Sequence, residues 1–133
     1  MSSHTGSNAS THFSEDFGDI LIRELSVDAV SSLALTVRSG TLSTTPPDLT
    51  CAVPNCPKQG SYNVVYEVIF SDGVSWAVRV PCLPWDMERE RMMQLDMVGL
   101  QYVVENTSLP IPHVHVYDCT NNNVLGHPYV IMD

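Results

Sequence analysis

Hydrophobic positions along the chain change their spacing from one stretch to the next, and each spacing predicts an element. From Phe17 to about Arg38, Ile20, Leu21, Leu25, Val30, Leu33, Leu35 and Val37 recur at helical intervals. Gly40 is the expected closing residue of that segment. Further on, Val64, Tyr66, Val68 and Phe70 alternate with less apolar neighbours, Asp72-Gly73 supplies a turn, and the alternation resumes from Trp76 to Pro81. That pattern predicts a hairpin of strands over 62–70 and 75–81. Pro81 and Pro84 stop the second strand. Asp86 is then a candidate N-cap, with Glu88 and Glu90 in the first turn of a helix running to about Asn106. Pro110 and Pro112 force a break. Two more strands are predicted, His113 to Cys119 and Pro128 to Met132, joined by the polar turn Thr120-Asn121-Asn122-Asn123.

The order β-β-α-β-β predicts an α+β fold: a small antiparallel sheet packed with one main helix and preceded by an N-terminal helix. Four stretches follow from the pattern. Residues 1–16, rich in Ser, Thr, Asn and His, read as a disordered tail. Residues 17–40 are helical, 41–57 with Pro46, Pro47, Pro54 and Pro57 form a connector, and 58–133 carry the sheet.

Composition narrows the function classes. Fifteen acidic residues against six basic ones give a formal charge of −9, which repels a phosphate backbone and argues against nucleic-acid binding. No apolar run approaches a membrane span, and the first residues lack the basic start and apolar core of a secretory signal, so a cytoplasmic protein without a membrane partner is expected. Cys51 and Cys56 are separated by four residues, and Cys82 and Cys119 have no close cysteine neighbour. Free thiols are the expectation, and a small redox or metal protein is disfavoured by that spacing. His113 and His115 fall at alternate strand positions without an evident third metal ligand, and are expected to face solvent.

Two residues stand out chemically. Val78 and Val80 share one strand face with Trp76, which leaves Arg79 on the other with Ala77. A cation there calls for a carboxylate or a phosphate. On the predicted helix, Asp96 shares a face with Met92, Met93, Gly99, Leu100 and Val103, where a carboxylate is costly to bury unless a cation meets it. An Asp96–Arg79 pair is therefore expected.

Gly60-Ser61-Tyr62-Asn63, Asp72-Gly73, Trp76 to Pro81, Glu105-Asn106-Thr107, Leu109-Pro110-Ile111-Pro112 and Gly126 to Met132 occur in an order and at a spacing that resemble the N-terminal lobe of the aminoglycoside phosphotransferase/choline kinase-like family, especially its fungal members. The likeness runs from about Cys51 to Asp133, and its strength lies in the ordered set. It implies a protein kinase-like N-lobe in which Gly60, Ser61 and Asn63 approach a nucleotide phosphate. Arg79 takes the place of the usual strand Lys, and Asp96 that of the usual helix Glu. Val130, Ile131 and Met132 would line an adenine pocket. The family's catalytic loop, His-Gly-Asp…Asn, and its later magnesium-binding Asp are missing from this sequence, as is the C-lobe that carries them. The resemblance thus implies ATP as a weakly held ligand, magnesium not held by this chain alone, and no catalytic competence alone. Two readings follow: the nucleotide-binding lobe of a truncated small-molecule kinase, or a stand-alone non-catalytic relic acting as an interaction module. Either way the lobe face around Ile131 is expected to lie open, to be covered by a protein partner or by self-association.

Overall fold

In the computed structural model, which describes residues 17–42, 44 and 47–133, the N-terminal helical stretch is two helices rather than one. Helix α1 occupies 17–24 and helix α2 Val27–Thr41. The break comes from Ser26, whose extended backbone and Oγ, accepting from the Ala29 N–H at 3.2 Å, start a new helix. Gly40 does not end α2. The helix runs one residue further, and the Leu42 N–H closes it on the Arg38 carbonyl at 3.2 Å. The tail expected over 1–16 lies outside the described residues, as does Pro46 of the connector.

The fold is α+β: six antiparallel strands and, among the described residues, three helices. The strands are β1 (Cys51–Ala52), β2 (Lys58–Gln59), β3 (Asn63–Phe70), β4 (Ser75–Pro81), β5 (Val114–Asp118) and β6 (Tyr129–Met132), with α3 (Met87–Asn106) between β4 and β5. The sheet order is β1-β3-β4-β6-β5, and β2 also pairs with β3. The expected hairpin is β3–β4, in register from Asn63 opposite Pro81 to Ile69 opposite Ser75. Gly73, at φ 92°, makes its turn, a conformation that side chains with a Cβ rarely adopt. The two short strands were not expected. Both pair along the same side of β3, Cys51 opposite Phe70 and Lys58 opposite Val65. Pro54 and Pro57 lie between them, and residues without an N–H cannot continue a ladder.

The alternation of β3 and β4 sends Val64, Tyr66, Val68, Phe70, Trp76, Val78 and Val80 to one face, all buried. They pack with Leu21 of α1, Leu25 just after it, Val30 and Ala34 of α2, and Ile131 of β6. Each such side chain contributes roughly 1.5–3 kcal/mol on burial. This is the main core, so the N-terminal helices cover the sheet more fully than the expected main helix does. Helix α3 lies across the other face, where Met93, Met97, Cys119 and Val130 form a smaller cluster. Asp86 caps it as predicted, its carboxylate accepting from the Arg89 N–H at 2.9 Å. The lobe face expected to be open around Ile131 is closed, because α1 and α2 lie over it and Ile131 is 0% exposed. Uncovered apolar side chains occur instead on α3.

One ion pair ties the helical layer to the hairpin. Arg38, nearly buried, donates from Nη1 and Nη2 to the Asp72 carboxylate at 2.7 and 2.5 Å, and its guanidinium lies 4.6 Å from the centre of the Phe70 ring. The bidentate bonds from Arg38 hold the Asp72 carboxyl below its ordinary range, helped by the Val74 N–H. A depressed folded-state value means stability that is present above the unfolded pKa, about 3.9, and lost as pH falls through the folded one. Asp72→Asn is therefore expected to lower the melting temperature at pH 7. The gap to wild type should shrink as pH drops below about 4, as followed by circular dichroism. A gap that stayed constant from neutral to acid pH would show that the pair contributes nothing.

His115 departs from the expected solvent-facing position. The β5–β6 register slips between Val114 and Val116, so His115 is the extra residue of a bulge. The bulge lets Val114 join the α3-side cluster while Val116 packs on the main core. The His115 ring stacks on Trp76 at 3.9 Å, its Nε2 lies 2.6 Å from Asp133 Oδ1, and the His113 ring meets its edge at 4.7 Å. Cys51, Cys56, Cys82 and Cys119 are free thiols. No described helix is long and apolar enough to cross a membrane.

Candidate functional site

The α3-side face of the sheet carries a cross-strand row. Lys58 stands opposite Val65, Val65 opposite Arg79, and Arg79 opposite Val130. Residues directly opposite in a ladder point to the same face. Lys58 and Arg79 therefore project on one side, two strands or roughly 10 Å apart. Arg79 shares its face with Ala77, as the alternation predicted, while Trp76, Val78 and Val80 are buried on the other.

The turn from Gly60 to Asn63 connects β2 to β3 and rims this row. The Gly60 N–H donates to the Asn63 carbonyl at 2.8 Å, leaving Ser61 and Tyr62 at the exposed tip, and the Cys82 N–H donates to the Tyr62 carbonyl at 2.9 Å. Glycine is not demanded by this geometry. Gly60 is absent from the glycines with positive φ, and a Cβ there would meet nothing closer than the Asn63 oxygen at 3.5 Å, an ordinary contact. The missing side chain leaves open space above the turn.

Two adjoining clefts open on the row. One, of about 500 Å³, is bounded by Lys58, Gly60, Ser61, Asn63 and Arg79. The other, of about 280 Å³, lies between β4 and α3 and is bounded by Asn63, Arg79, Arg89, Met93, Asp96 and Val130. Three of the chain's six Lys and Arg residues thus converge here, in a protein of formal charge −9. Arg79 makes no ion pair or side-chain hydrogen bond among the described residues, so its five N–H groups remain for a ligand.

The structure brings most of the sequence-derived set together. Gly60, Ser61, Asn63, Arg79, Asp96 and Val130 all border the two clefts. The Asp96–Arg79 pair does not close. Asp96 is exposed and no ion pair joins the two. Met93 and Met97 set the inward face of α3, and Asp96, one residue before Met97, is turned 100° away from it. Ile131 falls outside the site. It alternates with Val130 and points into the main core, so Val130 reaches the cleft and Ile131 does not. Met132 packs under α3, against the smaller cluster.

Lys58 and Arg89 were not found from the sequence. A signal for Lys58 exists: if Gly60–Asn63 closes a hairpin, the residue two before Gly60 lies on the incoming strand and faces the ligand side. Arg89 follows from its place seven residues before Asp96, two helical turns along one face. Among the described residues, no three of His, Cys, Asp and Glu come together to hold a metal ion. No protein-family model, curated protein or solved structure matches this chain.

Proposed function

We propose that this chain is the nucleotide-cradling lobe of a small-molecule phosphotransferase, with a protein kinase-like N-lobe of the aminoglycoside phosphotransferase/choline kinase type. The observation that carries the reading is the gathering of Lys58, Arg79 and Arg89 around two adjoining clefts that share Arg79 and Asn63. An acidic chain that gathers half its cations around two adjoining clefts focuses a positive field there, and a polyphosphate is the ligand such a field selects. Arg79 supplies a planar fork for two phosphate oxygens, Lys58 a mobile point charge, and Ser61 and Asn63 polar side chains at the rim. Val130, buried in the smaller cluster, lies at the base of the cleft on the same side of the sheet. The 133 residues contain no His-Gly-Asp, so no phosphoryl transfer is assigned to them and the proposal for these residues is nucleotide binding.

Amide NMR titration with ATP and ADP tests this. Shifts are expected to concentrate at residues 58–63, 79 and 130, with a dissociation constant on the order of 1 mM. Because nothing within the fold needs glycine at position 60, Gly60→Val should leave the spectrum folded and weaken nucleotide binding about tenfold by filling the space above the turn. Absence of shifts at about 10 mM nucleotide, or shifts confined to another face, would overturn the assignment.

The second reading, an interaction module, is favoured by a different observation, the apolar outer face of α3.

A further inference from the structure

Helix α3 is apolar on two opposite sides, and only one is used. Its inner side places Met93 and Met97 against the sheet. Its outer side carries Met92, Leu95, Val98 and Tyr102, between 56% and 66% exposed. These follow one another at intervals of three and four residues, the spacing of a helix seam. In their midst is Gly99, which costs a mid-helix position about 1 kcal/mol relative to Ala. A Cβ at Gly99 would meet nothing within 4 Å, so no neighbour inside the fold requires its absence. A bare helix backbone ringed by large apolar side chains is a hole shaped for a knob from outside.

We infer that this seam is the contact between two copies of the chain, with the α3 helices packed antiparallel. The choice of occupant rests on charge. In line with the seam, Arg91 follows Glu88 and Glu90 at the N-terminal end, and Glu105 stands in the last turn, accepting from Gln101 at 2.9 Å. A second copy laid parallel would set Arg91 against Arg91 and Glu105 against Glu105. Laid antiparallel about Val98 and Gly99, it brings each Arg91 within reach of the partner's Glu105. The same arrangement seats Val98 over the partner's Gly99 and packs Leu95 beside the partner's Tyr102. The outer face of α3 is complementary to itself, as a two-fold contact requires. The inference does not depend on nucleotide binding, since none of these residues except Met92 borders the cationic clefts.

Sedimentation velocity on the 133-residue chain tests the contact. The mass is expected to rise from 14.7 kDa toward twice that as concentration increases through the micromolar range. Two copies of charge −9 repel at long range, so added salt should strengthen the dimer. Leu95→Asp should weaken it at least about tenfold. Arg91→Glu and Glu105→Arg should each weaken it about fivefold at fixed ionic strength, and the double variant should restore it. All three positions are solvent-exposed in the monomer, so helix content by circular dichroism should stay unchanged and separates lost contact from lost fold. A monomer at every concentration overturns the inference. So does a dimer indifferent to Leu95→Asp, or a double swap that fails to restore association.

Discussion

Ile131→Ala is expected to lower the unfolding free energy by about 3–4 kcal/mol while leaving nucleotide affinity untouched. Ile131 is wholly buried and lies opposite Val78 in the β4–β6 ladder and opposite Val116 in the β5–β6 ladder. It stands on the sheet face covered by α1 and α2. Truncation leaves a cavity that strands held on both sides cannot close, so the lost transfer energy and the cavity cost add. Against a total stability of roughly 7–20 kcal/mol for a chain of this size, that is a large fraction. Urea unfolding measures it, and the midpoint should fall without a change in slope. An unchanged midpoint would mean that the N-terminal helices do not seal this face. A loss of nucleotide binding in the folded variant would mean that Ile131 belongs to the ligand site after all.

What could be read from the sequence was whatever is local and periodic. The β3–β4 hairpin is written in the two-residue alternation of Val64 to Phe70 and Trp76 to Val80, and in a glycine whose positive φ the turn needs. Helix α3 is announced by its Asp86 cap. The exact choice of faces was less legible. Helix α1 and helix α2 read as one segment because Leu25 and Leu33, eight residues apart, keep helical spacing across the Ser26 break. β1 and β2 are two residues long, too short to show a period, and exist only because β3 offers them an edge. The bulge at His115 reverses the parity of β5, and no sequence alternation signals that.

The site divides in the same way. Arg79 was legible because a cation flanked by valines on an alternating strand has only one face to occupy. Asp96 was misjudged because its apolar neighbours lie on both sides of α3. A helix with two hydrophobic faces does not declare which one meets the sheet. Met93 and Met97 decide it, and that decision turns Asp96 toward solvent and Leu95, Val98 and Tyr102 outward.

Removing both cations of the row should abolish most of the nucleotide affinity. Lys58→Ala is expected to weaken ADP binding about tenfold, near the low end for a charge-assisted hydrogen bond to phosphate, and Arg79→Ala at least as much because its fork makes two. The double variant should lose about 100-fold if the two side chains hold separate phosphate oxygens, which leaves no shifts at about 10 mM nucleotide, and less if they share one. Arg79→Lys should recover only part of the loss, because a point charge replaces a fork that engages two oxygens at once. Affinity in the wild type should fall with added salt, and the salt dependence should flatten in either single variant. Neither cation has an ion-pair partner among the described residues, so the melting temperature should barely move. Equal binding by the wild type and the double variant would remove the phosphate from this cleft, and with it the reason to place a nucleotide on this lobe.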